Sequence, residues 1–418
     1  MRYQFLVGVL CTANFLVFWA LPIALQGLVF KHFLKYLVRP FYNLLDKSPH
    51  ARAFALKFVY SKPQYTDFFA TSVFMLISTA IMLGSVFWYQ SEYGYLSWPM
   101  IVFYNFAWVG FGGRGMGAAY SFAHKEGHAR LMYRKWIRET VGNVFENWVG
   151  LFYGNVPYNF TTSHIQIHHR LDGGIGDTFY QWDLDRTSWH DLMIYQHRIL
   201  THMTGLSSYQ YFSHNPKYSG QRFKLLKGMI TYWLIMPTII LLLTQSLSFL
   251  FFVYIQPLFC MTYFLAFINF GLHAFIEFDE NGKHIKCVNS SCILEDDDDY
   301  FGESDHMAHH YYTSVFYSDL PDHHKTQIAE WAKHHASVFK KFSIVEMSLF
   351  ILLKDWNTLA EHYVDYADPK LPKAEVMAML ERRAKRKEME FDDYTARIEH
   401  YQRATSGCLA AGSDGKSE

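Results

Sequence analysis

Nine of the chain's 22 histidines fall into three tight groups and one outlier. The groups read His124-x-x-x-His128, His164-x-x-x-His168-His169 and His306-x-x-His309-His310, and the outlier is His273. Neutral imidazole is the commonest protein ligand for first-row transition metals. Residues three and four apart share one face of a helix. His124 with His128, and His306 with His309 and His310, are therefore each expected to point at one centre. Two or three imidazoles in each of three groups are too many for one ion and suit two. A structural zinc site closes with four ligands, usually including thiolates, and a catalytic one needs three from the protein. Nine nitrogen donors fit a pair of ions of higher coordination number, each with a position open to oxygen, which favours iron. Asn269 stands one helical turn before His273, so its side chain is expected to approach the same metal or hold a water on it.

These residues must be held by something, and the surrounding chain is apolar. It has 418 residues, 50% hydrophobic and 18% aromatic, with no net formal charge. That balance argues against a disordered or nucleic-acid-seeking protein. Residues 6–30, 68–89, 96–120, 229–254 and 257–276 each approach the ~20 apolar residues a spanning helix needs. Arg114 is the one clear basic residue inside them and is expected near an end or facing protein. Lys and Arg crowd residues 31–62 and 125–227 and are missing from 89–99 and 254–269, which orients the spans. The second and third form a hairpin turning at 90–97 on the far side. The fourth and fifth form another, turning near Gln256-Pro257. All four histidine groups then land on one face, the cytoplasmic one. The flanks of the first segment (Arg2 before, Lys31 and Lys35 after) suit a span with its N-terminus outside.

The expected architecture is an all-α integral membrane protein. Two transmembrane hairpins and an N-terminal span are capped by a helical cytoplasmic domain carrying the histidines. Residues 1–66 form the membrane segment and a basic linker, 67–368 the metal-bearing membrane domain, and 369–418 a charged surface helix with a frayed tail. The five cysteines show no pairing pattern, and Cys287 and Cys292 fall on the reducing side. The sequons at Asn159 and Asn289 face the cytoplasm and are expected to carry no glycan.

With its three boxes in this order, the chain resembles the membrane fatty acid desaturase and hydroxylase superfamily. Its boxes are HKEGH (His124–His128), HIQIHH (His164–His169) and HMAHH (His306–His310), and Asn269-Phe-Gly-Leu-His273 is similar to the NxxxH element of acyl-CoA desaturases. The resemblance runs roughly from residue 68 to 318. It implies a non-haem di-iron centre, fed by two electrons from cytochrome b5 or a ferredoxin, that turns dioxygen on an unactivated C–H bond of a lipid. It also implies the ligand set His124, His128, His164, His168, His169, His273, His306, His309 and His310, with Asn269 acting through a water, and an endoplasmic reticulum membrane. No HPGG haem motif is present, so the electron donor is a separate protein. The second box has three intervening residues where two are commoner, and the acidic run at 295–299 matches no particular class.

Desaturation of a fatty acyl chain is the favoured reaction. Hydroxylation or epoxidation of an acyl, sterol or squalene-like lipid shares the ligand set and is the alternative. A metal transporter would place ligands near the bilayer midplane, but these spans are nearly free of His, Asp and Glu. A haem carrier would need histidines deep in facing spans. Glu303, Asp305 and Glu126 are candidates to orient ligating imidazoles. His323, His324, His334 and His335 are ordinarily surface residues, with another metal patch or extra ligands as the alternative. The acidic run is ordinarily a solvated loop, with a docking or imidazole-orienting element as the alternative. The turn Asp172–Asp177 lacks the Lys-Ser/Thr of a phosphate cradle.

Overall fold

A computed structural model describes residues 2–29, 35–110, 114–129, 131–214, 216–296 and 299–388. It is mostly helical, with one short parallel ladder of β1 (Cys292–Leu294) and β2 (Val338–Lys340). Four helices are long and apolar enough to cross a membrane: Arg2–Gln26, Pro63–Tyr93, Pro216–Thr244 and Leu247–Leu272. Sequence predicted five.

The missing one is residues 96–120. Ser97 caps a helix, Trp98–Val109, whose 12 residues reach only about 18 Å, against a hydrocarbon core of about 30 Å. It ends at Gly110, which holds φ at 68°. A second helix, Arg114–His128, then starts against it. A Cβ on Gly115 would lie 2.7 Å from the Trp108 carbonyl oxygen, so only glycine fits this corner. Arg114 opens that second helix, as its charge requires, and its side chain is outside the described residues.

The last two spans also turn elsewhere than predicted. The turn is at Gln245, with φ 50°, and Ser246, whose hydroxyl accepts from the Phe249 amide at 3.1 Å. Pro257 instead sits inside the final span, after a wide π-type stretch, Leu250–Ile255. A proline frees the carbonyl four residues back, here Val253. The Tyr104 hydroxyl takes up that carbonyl at 2.7 Å, so the helix continues. From Gln256 to Leu272 nearly every side chain is buried, which makes this the central helix.

The start of the first span packs on the helix Trp189–Met203. Tyr3 meets the His197 ring edge-on, Phe5 stacks on His190, and Thr12 exchanges hydrogen bonds with Gln196. Tyr195 of that helix reaches Asn269. These first turns therefore pack beside the layer that carries the histidine boxes. The 369–418 segment is also more than a surface helix. Lys373–Lys385 buries Val376, Met379, Leu380 and Ala384 against Phe275, Phe339 and Met347. Its Arg383 holds Glu277 at 2.6 Å and the carbonyls of His334 and His335. Residues 389–418, Cys408 among them, lie outside the described residues. Asn159 and Asn289, the asparagines of the two sequons, are buried.

Candidate metal centre

The first box lies on Arg114–His128, with His124 and His128 one turn apart on the same face. Gly127 between them lets the second box approach, because a Cβ there would lie 3.0 Å from that of Phe160. The second box winds as a π-helix, Phe160–His168, and the His169 amide donates to the His164 carbonyl five residues back. On an α-helix His164 and His169 would point about 140° apart. The wider turn brings them to one face and leaves His168 on another. The third box is a short α-helix, His306–Tyr311, capped by Asp305, which accepts from the Ala308 amide at 3.3 Å. His273 ends the central helix, its amide bonded to the Asn269 carbonyl at 3.1 Å.

All nine predicted histidines come together, in two adjoining clusters. His124, His128, His164, His169 and His309 form one, and His168, His273, His306 and His310 the other, with ligand atoms within 4.8 Å of one another in each. The rings of His169 and His310, one from each cluster, are 4.7 Å apart. The expectation that the third box points at one centre fails. His306 and His310, four apart, share one cluster, whereas His309, about 100° round the helix from His310, enters the other. The second box is divided in the same way. No carboxylate stands inside either cluster among the described residues.

The carboxylates stand behind the rings. Glu303 accepts from His124 Nδ1 at 2.8 Å, and Lys125 holds it at 3.0 Å. Asp177 Oδ2 is 2.9 Å from His168 Nδ1, and Asp172 Oδ1 is 2.8 Å from His310 Nδ1. A ring whose Nδ1 proton is taken by a carboxylate has only a lone pair at Nε2. Yet His124 Nε2 faces the Nε2 atoms of His128, His164 and His309 at 3.1, 2.8 and 3.1 Å. The other short pairs are His169 with His128 at 3.0 Å, His306 with His273 at 2.9 Å and His310 with His306 at 3.1 Å. Buried lone pairs gathered in this way have too few protons to bond one another. A cation at each focus would satisfy them, so the residues fit a metal pair.

Burial lowers the pKa of His124, His128, His164, His169, His273, His306 and His309, and takes His310 to about 4. All eight are neutral at pH 7, as ligation requires. Each would charge only on unfolding, so each contributes stability that is full above about pH 6.5 and lost as pH falls. Glu126 and Glu146 have the opposite sign: burial raises both, Glu126 to about 8, so they favour the folded state at lower pH. Eight groups outweigh two. Chelator-stripped protein in detergent is expected to melt at falling temperature as pH drops from about 7 to about 5. A flat or rising melting temperature would contradict this.

Of the candidate orienting residues, Glu303 alone reaches a box imidazole. Glu126 instead accepts from Tyr133 Oη and from the amides of Phe145 and Glu146, starting the π-turn Phe145–Val149. Asp305 caps the third box. In the acidic run, Asp299 accepts from the amides of Gly302 and Ser304, and Asp296 from the Ser304 hydroxyl, which shapes the loop that aims Glu303. Asp297 and Asp298 lie outside the described residues. His334 and His335 face Glu330 and Asp365, and His323 stacks on Tyr312, all outside both clusters. His324 is buried.

Sequence reasoning missed Asp172, Asp177 and Tyr195. The two acids lie on the turn read only as a tight loop, where Asp172 has φ 52° and Gly173 φ 73°. Their signal was two carboxylates just after a histidine box. Tyr195 donates to Asn269 Oδ1, which fixes how that amide lies. Asn269 lines a cavity of about 350 Å³ whose walls include Met116, Met261, Phe264, Leu265 and Ile268 together with His124, His164, His168 and His306. No family model, curated protein or solved structure matches the chain.

Proposed function

We propose that this chain is a membrane-bound di-iron oxidoreductase of the fatty acid desaturase and hydroxylase kind, which uses dioxygen and two electrons to desaturate a fatty acyl chain. The observation that carries the reading is nine imidazoles in two adjoining clusters, four of which line a largely apolar cavity. When bound, the irons supply the oxidising chemistry. The protein supplies the rest. Its nine imidazoles would hold the metals, Glu303 and Asp177 keep the Nδ1 protons of two rings in place, and Asp172 sets a negative charge 2.8 Å from His310 Nδ1. Met261, Phe264 and Leu265 exclude water and align an apolar chain, and that alignment decides which C–H bond reacts.

The donor set favours iron over zinc, because nine nitrogens with no thiolate among them exceed what two zinc sites take from a protein. Six Nε2 pairs lie 2.8 to 3.1 Å apart, close enough for rings of one cluster to share an ion. Electrons come from a separate cytochrome b5 or ferredoxin, and an endoplasmic reticulum membrane with the clusters facing the cytoplasm completes the reading.

Protein purified in detergent is expected to hold about two irons per chain, and a yeast host expressing it to accumulate a new unsaturated acyl chain. Haem or exchangeable zinc in place of iron would overturn the reading. A hydroxylated or epoxidised lipid would move the chain to the monooxygenase branch.

A further inference from the structure

Behind the third box, three potential ligands meet from separate pieces of chain. Cys292 comes from β1, Asp305 from the loop before the box helix, and His324 from the helix Leu320–Lys333. Their ligand atoms lie within 4.8 Å of one another. Cys292 Sγ is 3.8 Å from His324 Nδ1, which is 3.5 Å from Asp305 Oδ2. The nitrogen–oxygen gap is too long for a good hydrogen bond. Tetrahedral zinc would set sulfur and nitrogen about 3.6 Å apart, and nitrogen and oxygen about 3.3 Å. Both observed gaps are within about 0.2 Å of those edges.

The far side of His324 is already committed. Its Nε2 is 2.8 Å from the Tyr366 hydroxyl, so an Nε2–H donated there leaves the Nδ1 lone pair toward the thiol and carboxylate. Cys292 and His324 are buried, while the Asp305 side chain keeps a little exposure and gives an ion its way in.

We propose that Cys292, Asp305 and His324 form a third metal site, for one zinc ion, that pins the third histidine box. Water completes the four ligands, and the thiol proton leaves to solvent on binding. Asp305 links the site to the box. Its Oδ1 caps the helix His306–Tyr311 through the Ala308 amide, and its Oδ2 faces His324. Fixing that carboxylate fixes where His306, His309 and His310 begin. The site stands independently of the oxidase reading.

Full-length protein in detergent, loaded with Co2+, is expected to gain a near-ultraviolet thiolate-to-cobalt absorption. Neither imidazole cluster contains a sulfur ligand. The band is expected to vanish in Cys292→Ser, and zinc content to fall from about one per chain to near zero while iron stays at about two. In His310→Ala the band is expected to persist as iron falls to about one per chain, which separates this site from the iron pair. No band in cobalt-loaded wild type, or a band and zinc content unchanged in Cys292→Ser, would overturn the proposal. The wild-type spectrum decides even if that variant fails to fold.

Discussion

Replacing His310 by alanine is expected to cost the protein about one of its two metal ions, whereas the same change at His309, the very next residue, is expected to leave both ions largely bound. The difference follows from cluster size. His310 belongs to the cluster of four and its loss leaves three imidazoles, while His309 belongs to the cluster of five and its loss leaves four. Both variants are expected to retain below about 1% of lipid oxidation, because loss of a direct ligand should exceed the 10–100-fold cost of losing a residue that only orients one. Iron per chain, counted by mass spectrometry on folded protein, checks the order. Equal loss in the two variants, or greater loss in His309→Ala, would break the division of the third box between two ions.

The nine clustering histidines were legible because helical spacing speaks directly about faces. Their division was not. It depends on which way each ring points, and in the second box on a backbone that leaves the α-helix. The second box, His164-x-x-x-His168-His169, has one residue more than the commoner spacing. The structure absorbs it in a π-turn that restores His164 and His169 to a shared face. The spans were legible from hydropathy wherever the chain had no reason to break. Residues 96–120 read as one span because glycines add little to an apolar count, although Gly110 and Gly115 are what let the chain turn there. At the other hairpin, Pro257 read as a breaker. Nothing local reveals that Tyr104, 149 residues away from Val253, would take up the carbonyl that proline releases.

The orienting carboxylates were the least legible. Glu303 sits beside a box and was anticipated, whereas Asp172 and Asp177 lie in a turn with no period to expose them. The same turn yields the second large effect. Asp172→Asn is expected to weaken metal binding in the cluster of four by roughly 10–100-fold, and that in the cluster of five far less. Asp172 Oδ1 lies 2.8 Å from His310 Nδ1 and accepts from Ser290 Oγ at 3.2 Å, and Oδ2 lies 3.3 Å from His284. Burial alone would raise this carboxyl, but His310, His284 and Lys286 around it hold it well below the usual carboxylate range. It is therefore a fixed negative charge behind the His310 ring. Asparagine matches its size and tolerates the positive φ of 52°, so the turn itself should survive. What is lost is the charge and one acceptor, leaving His310 Nδ1–H poorly matched. Chelator titration of iron-loaded protein reads the effect, with Asp322→Asn, on an exposed surface pair with Lys325, as the silent control. Wild-type chelator resistance in Asp172→Asn would mean that the His310 ring is held by its packing alone, and that the charge behind it does nothing for the metal.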